Sequence, residues 1–141
     1  KPITVMCASI IEACPCELFH RVRHHTIEGV PRLSAKQVRG IRATKKDEFA
    51  LFIQQCRQNS LLGRATENHI YERLDQLREL RNRVHIQNLE DFGPKCERKA
   101  FSDEQLVEAE FLLEFVLEYL SKVYPRKSVY TQDVILPWAH I

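Results

Sequence analysis

The stretch from Ile70 to Asn88 reads IYERLDQLRELRNRVHIQN and carries the residues best suited to chemistry. Ile70, Leu74, Leu77, Arg81 and Val84 follow one another at steps of four, three, four and three. That is the spacing of a helix face turned toward a core, with an arginine in one of the core slots. An arginine on an apolar stripe is costly unless it is paired or faces a wet cleft. Arg81 is therefore expected to meet a carboxylate or to line an anion site. At about 100° per residue, Arg78, Asn82 and His85 share its sector, and Tyr71 lies on the same side two turns earlier. Glu12 is the candidate partner for the same reason, since it sits among Ile10, Ile11 and Ala13. On spacing alone, this set describes a Glu–Arg pair locking two helices, with His85 hydrogen-bonded beside it.

Two other clusters have chemical potential. Cys14, Cys16, His20, His24 and His25 gather possible metal ligands, but not at the spacing of a standard zinc module. Buried free thiols and surface histidines are the expectation there, and no metal or other cofactor is assigned. The five cysteines, Cys7, Cys14, Cys16, Cys56 and Cys96, are odd in number and irregular in spacing. That argues against a complete disulfide framework and for a reduced, cytoplasmic setting. Between His20 and Lys46 the bases Arg21, Arg23, Arg32, Lys36, Arg39, Arg42, Lys45 and Lys46 face one acid, Glu28. Such a run is either a phosphate-tracking surface or an ordinary solvated face.

The elements that must position these residues read as helices. With 141 residues, 44% of them hydrophobic, the chain fits one domain with a sizeable core. Only 4 Gly and 6 Pro argue against turn-rich all-β folds. No run approaches the apolar length of a membrane span, so no membrane partner is expected. A first helix is predicted over about 3–13; Pro15 interrupts it or opens the next helix, and helix continues over 17–25. Ser34 and Gln37 cap a short turn in a looser connector punctuated by Gly29, Pro31 and Gly40. Thr44 is placed as the N-cap of a helix reaching about Arg57, a long helix runs from about 66 to 88, and Gly93-Pro94 breaks the chain. Ser102, with Gln105 completing a capping box, opens a last helix to about Tyr124 that is apolar nearly all round. Its breadth suggests a central helix or a second, intermolecular face. Six acids and no base lie between Asp103 and Glu118. An irregular tail follows, with one short candidate strand over 128–136. The fold class is all-α, a bundle of four to five helices.

Arg81-Asn82 followed by His85, near the end of a long helix in an all-α domain of this size, resembles the HEPN superfamily (higher eukaryotes and prokaryotes nucleotide-binding). That superfamily carries an Arg and a His separated by roughly four to six residues, often with a polar residue directly after the Arg. Three residues separate Arg81 from His85 and six separate Arg78 from His85, so either arginine could take the family role. Gln87 stands where the toxin branch has a tyrosine. The resemblance covers about 3–124.

It implies metal-independent RNA cleavage by a homodimer whose two motifs meet at one cleft. His85 would act as acid or base, Arg78 or Arg81 would stabilise phosphoryl charge, Asn82 would orient phosphate or imidazole, and Glu12 would position an arginine. Arg32, Lys36, Arg39, Arg42, Lys45 and Lys46 would track the RNA backbone. The implied role is a toxin or defence effector with an antitoxin or regulatory partner. The alternative is an inactive HEPN-like module for dimerisation or nucleotide binding. A purely structural helical interaction domain is the third reading.

Overall fold

Five helices make up the described part of the chain, which in this computed structural model comprises residues 2–24, 30, 32–44, 48–64, 69–83 and 101–126. They are α1 (Pro2–His24), α2 (Ala35–Ala43), α3 (Phe49–Gln58), α4 (Ile70–Asn82) and α5 (Asp103–Val123). There is no strand among the described residues, and the fold is all-α. The break at Gly93-Pro94, the candidate strand over 128–136, His25, Cys96 and the predicted extension of α4 to residue 88 all lie outside them.

α1 is the organising element and touches each of the other four helices. Cys7, Ala8, Ile11, Leu18, Phe19 and Val22 form its buried face. The predicted break at Pro15 does not occur: the helix runs through it. Pro15 has no N–H for the Ile11 carbonyl, a loss that can cost about 3 kcal/mol in a helix interior. Pro15 is itself buried, lining a small apolar cavity with Phe49 and Ile53 of α3 and Leu120 of α5, and that burial offsets the penalty. α1 also corrects the expectation about apolar length, because by length and composition it could cross a membrane. Counting only strictly aliphatic and aromatic runs overlooks its three Cys and two Ala residues.

Local signals explain the remaining boundaries. Ser34 and Gln37 form a full capping box, but it opens a helix of 9 residues and not a short turn. Within α2, Gly40 packs where an added Cβ would lie 3.3 Å from the Asn59 amide, a tight approach that explains the absence of a larger side chain. Thr44 terminates α2, its N–H donating to the Ile41 carbonyl and its hydroxyl to the Gly40 carbonyl. It is thus a C-cap and not the predicted N-cap, and α3 begins after Glu48. Ser102 stands at the start of α5, but the predicted capping box with Gln105 is not made. Its hydroxyl instead bonds the Glu104 carboxylate, which holds that carboxyl below its ordinary range.

α4 buries Ile70, Leu74 and Leu77, as its spacing predicts, and Tyr71 and Leu80 as well, which the stripe leaves out. Tyr71 is a core residue here and does not join Arg78 and Asn82. Its hydroxyl accepts from the Leu62 N–H at 3.1 Å and donates to the Gly63 carbonyl at 2.8 Å, pinning the turn after α3. α1 and α5 lie side by side and run in the same direction. Glu110 influences Cys7 near their starts, and Arg21 donates to the Tyr124 carbonyl near their ends. α4 spans the pair from beneath: Arg73 binds Glu108 of α5, and Arg81 binds Glu12 of α1.

Candidate functional site at the end of helix 4

The C-terminal part of α4 carries Arg78, Arg81 and Asn82, with Arg81 meeting α1 and Arg78 meeting a carboxylate cluster shared with α3. Arg81 Nη2 lies 2.8 Å from Glu12 Oε2, joining α4 to α1. Each charge interrupts an apolar stripe on its own helix, and the ion pair gives each an opposite charge. The side chains remain 23% and 24% exposed, so the pair is sheltered without being sealed. Arg81 Nε is buried and has no hydrogen-bond partner. The Glu12 carboxylate thus grips one end of the guanidinium and leaves the buried Nε unmatched.

Arg78 has a different environment. Its Nε donates to Asp75 Oδ1 at 3.3 Å, and its Nη2 lies 3.7 Å from Glu79. Asp75 also binds Arg57 of α3 at 3.2 Å, and Arg57 lies 3.6 Å from Glu72. Three carboxylates therefore surround two guanidinium groups, an excess of negative charge that opposes a phosphate. Sequence reasoning does not single out Asp75 or Arg57. The Asp75–Arg78 spacing of three is a legible signal, but the Arg57 contact depends on how α3 packs. His85 lies outside the described residues.

The basic run between His20 and Lys46 has several structural uses. Arg32 donates to the Lys122 carbonyl at 2.9 Å, at the end of α5. Arg42 donates to the Val22 carbonyl at 3.2 Å, at the end of α1. Arg23 bonds the Ile41 and Thr44 carbonyls at the end of α2. Buried Arg21 bonds the Tyr124 and Pro125 carbonyls. These guanidinium groups satisfy helix C-terminal carbonyls, where the dipole favours cations. Lys36 and Arg39 project from α2 into solvent, Arg39 bonding only the Ala35 carbonyl of its own helix. Lys45 and Lys46 lie outside the described residues.

Cys14 and Cys16 are half-buried and reduced, and His20 and His24 have ring centroids 4.7 Å apart on the outer side of α1. No set of three ligands suited to a metal ion occurs among the described residues. Burial alone pushes the Cys56 thiol up to about 12. It lines a small apolar cavity with Ile11, Pro15, Leu74 and Val116, and is a packing residue.

No protein-family model, curated protein or solved structure matches the chain.

Proposed function

We propose that the chain is a metal-independent endoribonuclease of HEPN type that acts as a dimer. The observation that carries this reading is Arg81, held at 2.8 Å by Glu12, partly exposed, and four positions before His85. A guanidinium fixed from one side by a carboxylate has little freedom left to lose, and can meet phosphoryl oxygens with its remaining donors. Its fixed charge supplies the electrostatic stabilisation that phosphoryl transfer requires.

In the proposed reaction, the ribose 2′-oxygen forms a bond to the adjacent phosphorus as the bond to the 5′-oxygen breaks. One His85 takes the 2′-hydroxyl proton, and a second, from the other copy, gives a proton to the departing 5′-oxygen. The products are a 2′,3′-cyclic phosphate and a 5′-hydroxyl. An imidazole titrates near neutrality, so each copy can hold either role. Asn82, next to Arg81, orients phosphate or imidazole. Lys36 and Arg39, the cations on α2 least engaged in the fold, serve to bind the RNA backbone.

The test is incubation of the purified protein with single-stranded RNA in EDTA, followed by identification of the fragment ends. Fragments carrying 5′-hydroxyl and 2′,3′-cyclic phosphate ends are expected. Fragments with 5′-phosphate ends, or no fragments at all from folded dimer, would overturn the proposal.

A further inference from the structure

The last turns of α1 hold two imidazoles side by side. His20 and His24 stand four positions apart, so they lie on one face of the helix, one turn after the other. Both residues are exposed, and their ring centroids are 4.7 Å apart with the planes tilted by 44°. That tilt is not the parallel arrangement of a stacked pair. The separation suits two imidazoles on one ion. With a nitrogen about 2.1 Å from a metal, a ring centroid sits about 3.2 Å away, and two such rings at about 90–110° are about 4.5–5.2 Å apart.

The flanking cations are bonded within the fold. Arg21 donates to the Tyr124 and Pro125 carbonyls, and Arg23 to the Ile41 and Thr44 carbonyls. The negative end of the α1 dipole favours a cation at this turn. Cys16 lies one turn before His20 and is half-buried, but no third ligand completes a cage of protein atoms among the described residues. The turn also serves the fold, because the Val22 carbonyl, between the two histidines, accepts from Arg42 of α2 at 3.2 Å.

We propose that His20 and His24 bind a divalent transition-metal ion as a surface chelate, with water in its other positions. Histidines at i and i+4 on one helix face are a spacing that sets two nitrogens on one zinc ion. Imidazole suits Cu²⁺, Ni²⁺ and Zn²⁺, whereas Mg²⁺ and Ca²⁺ take oxygen ligands. Affinity should follow the ordinary order for nitrogen ligands, with Cu²⁺ above both Ni²⁺ and Zn²⁺. The bound ion ties His20 to His24 across the turn that receives Arg42, and so steadies the junction of α1 with α2. The helix presents the pair already assembled and the unfolded chain does not, so binding stabilises the fold. The site is separate from the Arg81 centre and does not rest on the ribonuclease reading, whose assay is run in EDTA.

The experiment titrates Ni²⁺ into the full chain by calorimetry, after EDTA treatment and dialysis, and repeats it with His20→Ala, His24→Ala and Cys16→Ser. Wild type and Cys16→Ser should bind saturably and equally. Each histidine variant should bind at least about tenfold more weakly, since losing a ligand costs no less than losing a ligand's hydrogen-bond partner. Excess Ni²⁺ should raise the unfolding temperature of wild type, and that of each histidine variant by less. Mg²⁺ should leave all four unchanged. Circular dichroism establishes that each variant is folded. Undiminished Ni²⁺ binding by folded His24→Ala overturns the proposal, as does the absence of saturable binding by wild type. Binding lost in Cys16→Ser but kept in both histidine variants would assign the metal to thiols and also overturn it.

Discussion

At the scale of single residues, the structure separates polar groups that bind the fold together from those free for chemistry. Tyr71 illustrates the first kind. Its hydroxyl satisfies the buried Leu62 N–H and the Gly63 carbonyl. Tyr71→Phe leaves both without that partner and should cost about 1–3 kcal/mol, measurable by urea unfolding. Burial, opposed in part by the Leu62 hydrogen bond, pushes the Tyr71 hydroxyl up to about 12, and burial does the same for Tyr124. Both hold their protons more tightly folded than unfolded. Their contribution is fully present below the ordinary tyrosine value of about 10, and is lost as pH rises toward about 12. A stability profile over that range should fall, and Tyr71→Phe should flatten part of the fall. Cys56, buried in the same core, should resist alkylation until the whole chain unfolds, whereas half-buried Cys14 should react in the native state.

At the scale of elements, the Glu12–Arg81 pair is legible in the sequence because each charge breaks an apolar stripe on its own helix. The helical content, the core face of α4 and the extent of α5 are legible for the same reason: apolar spacing repeats at the helical period. Three features are not. Pro15 sits inside α1 because packing by α3 and α5 offsets a local penalty, and no local signal reveals that packing. α2 reads as a connector because Gly40 and its many cations conceal it, although its capping box stands out. Arg57 cannot be matched to Asp75 without the packing of α3 on α4. Ser34→Ala should cost about 1 kcal/mol, since it removes a cap that the structure shows in full. A double-mutant cycle on Glu12→Gln and Arg81→Met should give a coupling of about 1 kcal/mol, modest because water still reaches both groups. Thermal or urea unfolding of the four proteins measures it.

At the scale of the whole molecule, the net charge of +2 conceals a polar distribution. Basic side chains cluster from His20 to Lys46, and acids line α5. The charge run alone gives Arg32, Lys36, Arg39 and Arg42 one shared role on RNA. The structure divides them, because Arg32 and Arg42 bond helix-end carbonyls while Lys36 and Arg39 stand in solvent. Reversing Lys36 and Arg39 to Glu should weaken RNA binding and reduce the slope of log affinity against log salt, by about one unit for each phosphate no longer neutralised. Titration at several salt concentrations checks this.

The proposed chemistry makes Arg81, held by Glu12, the phosphate-facing arginine, and leaves Arg78 to the carboxylate cluster around Asp75. Cleavage of single-stranded RNA in EDTA, compared for wild type, Arg81→Ala, Arg78→Ala and His85→Ala, tests it most directly. Wild type and Arg78→Ala should cut, and Arg81→Ala and His85→Ala should lose at least about a hundredfold in rate. Cleavage that survives in folded Arg81→Ala, or is lost only in Arg78→Ala, would contradict it.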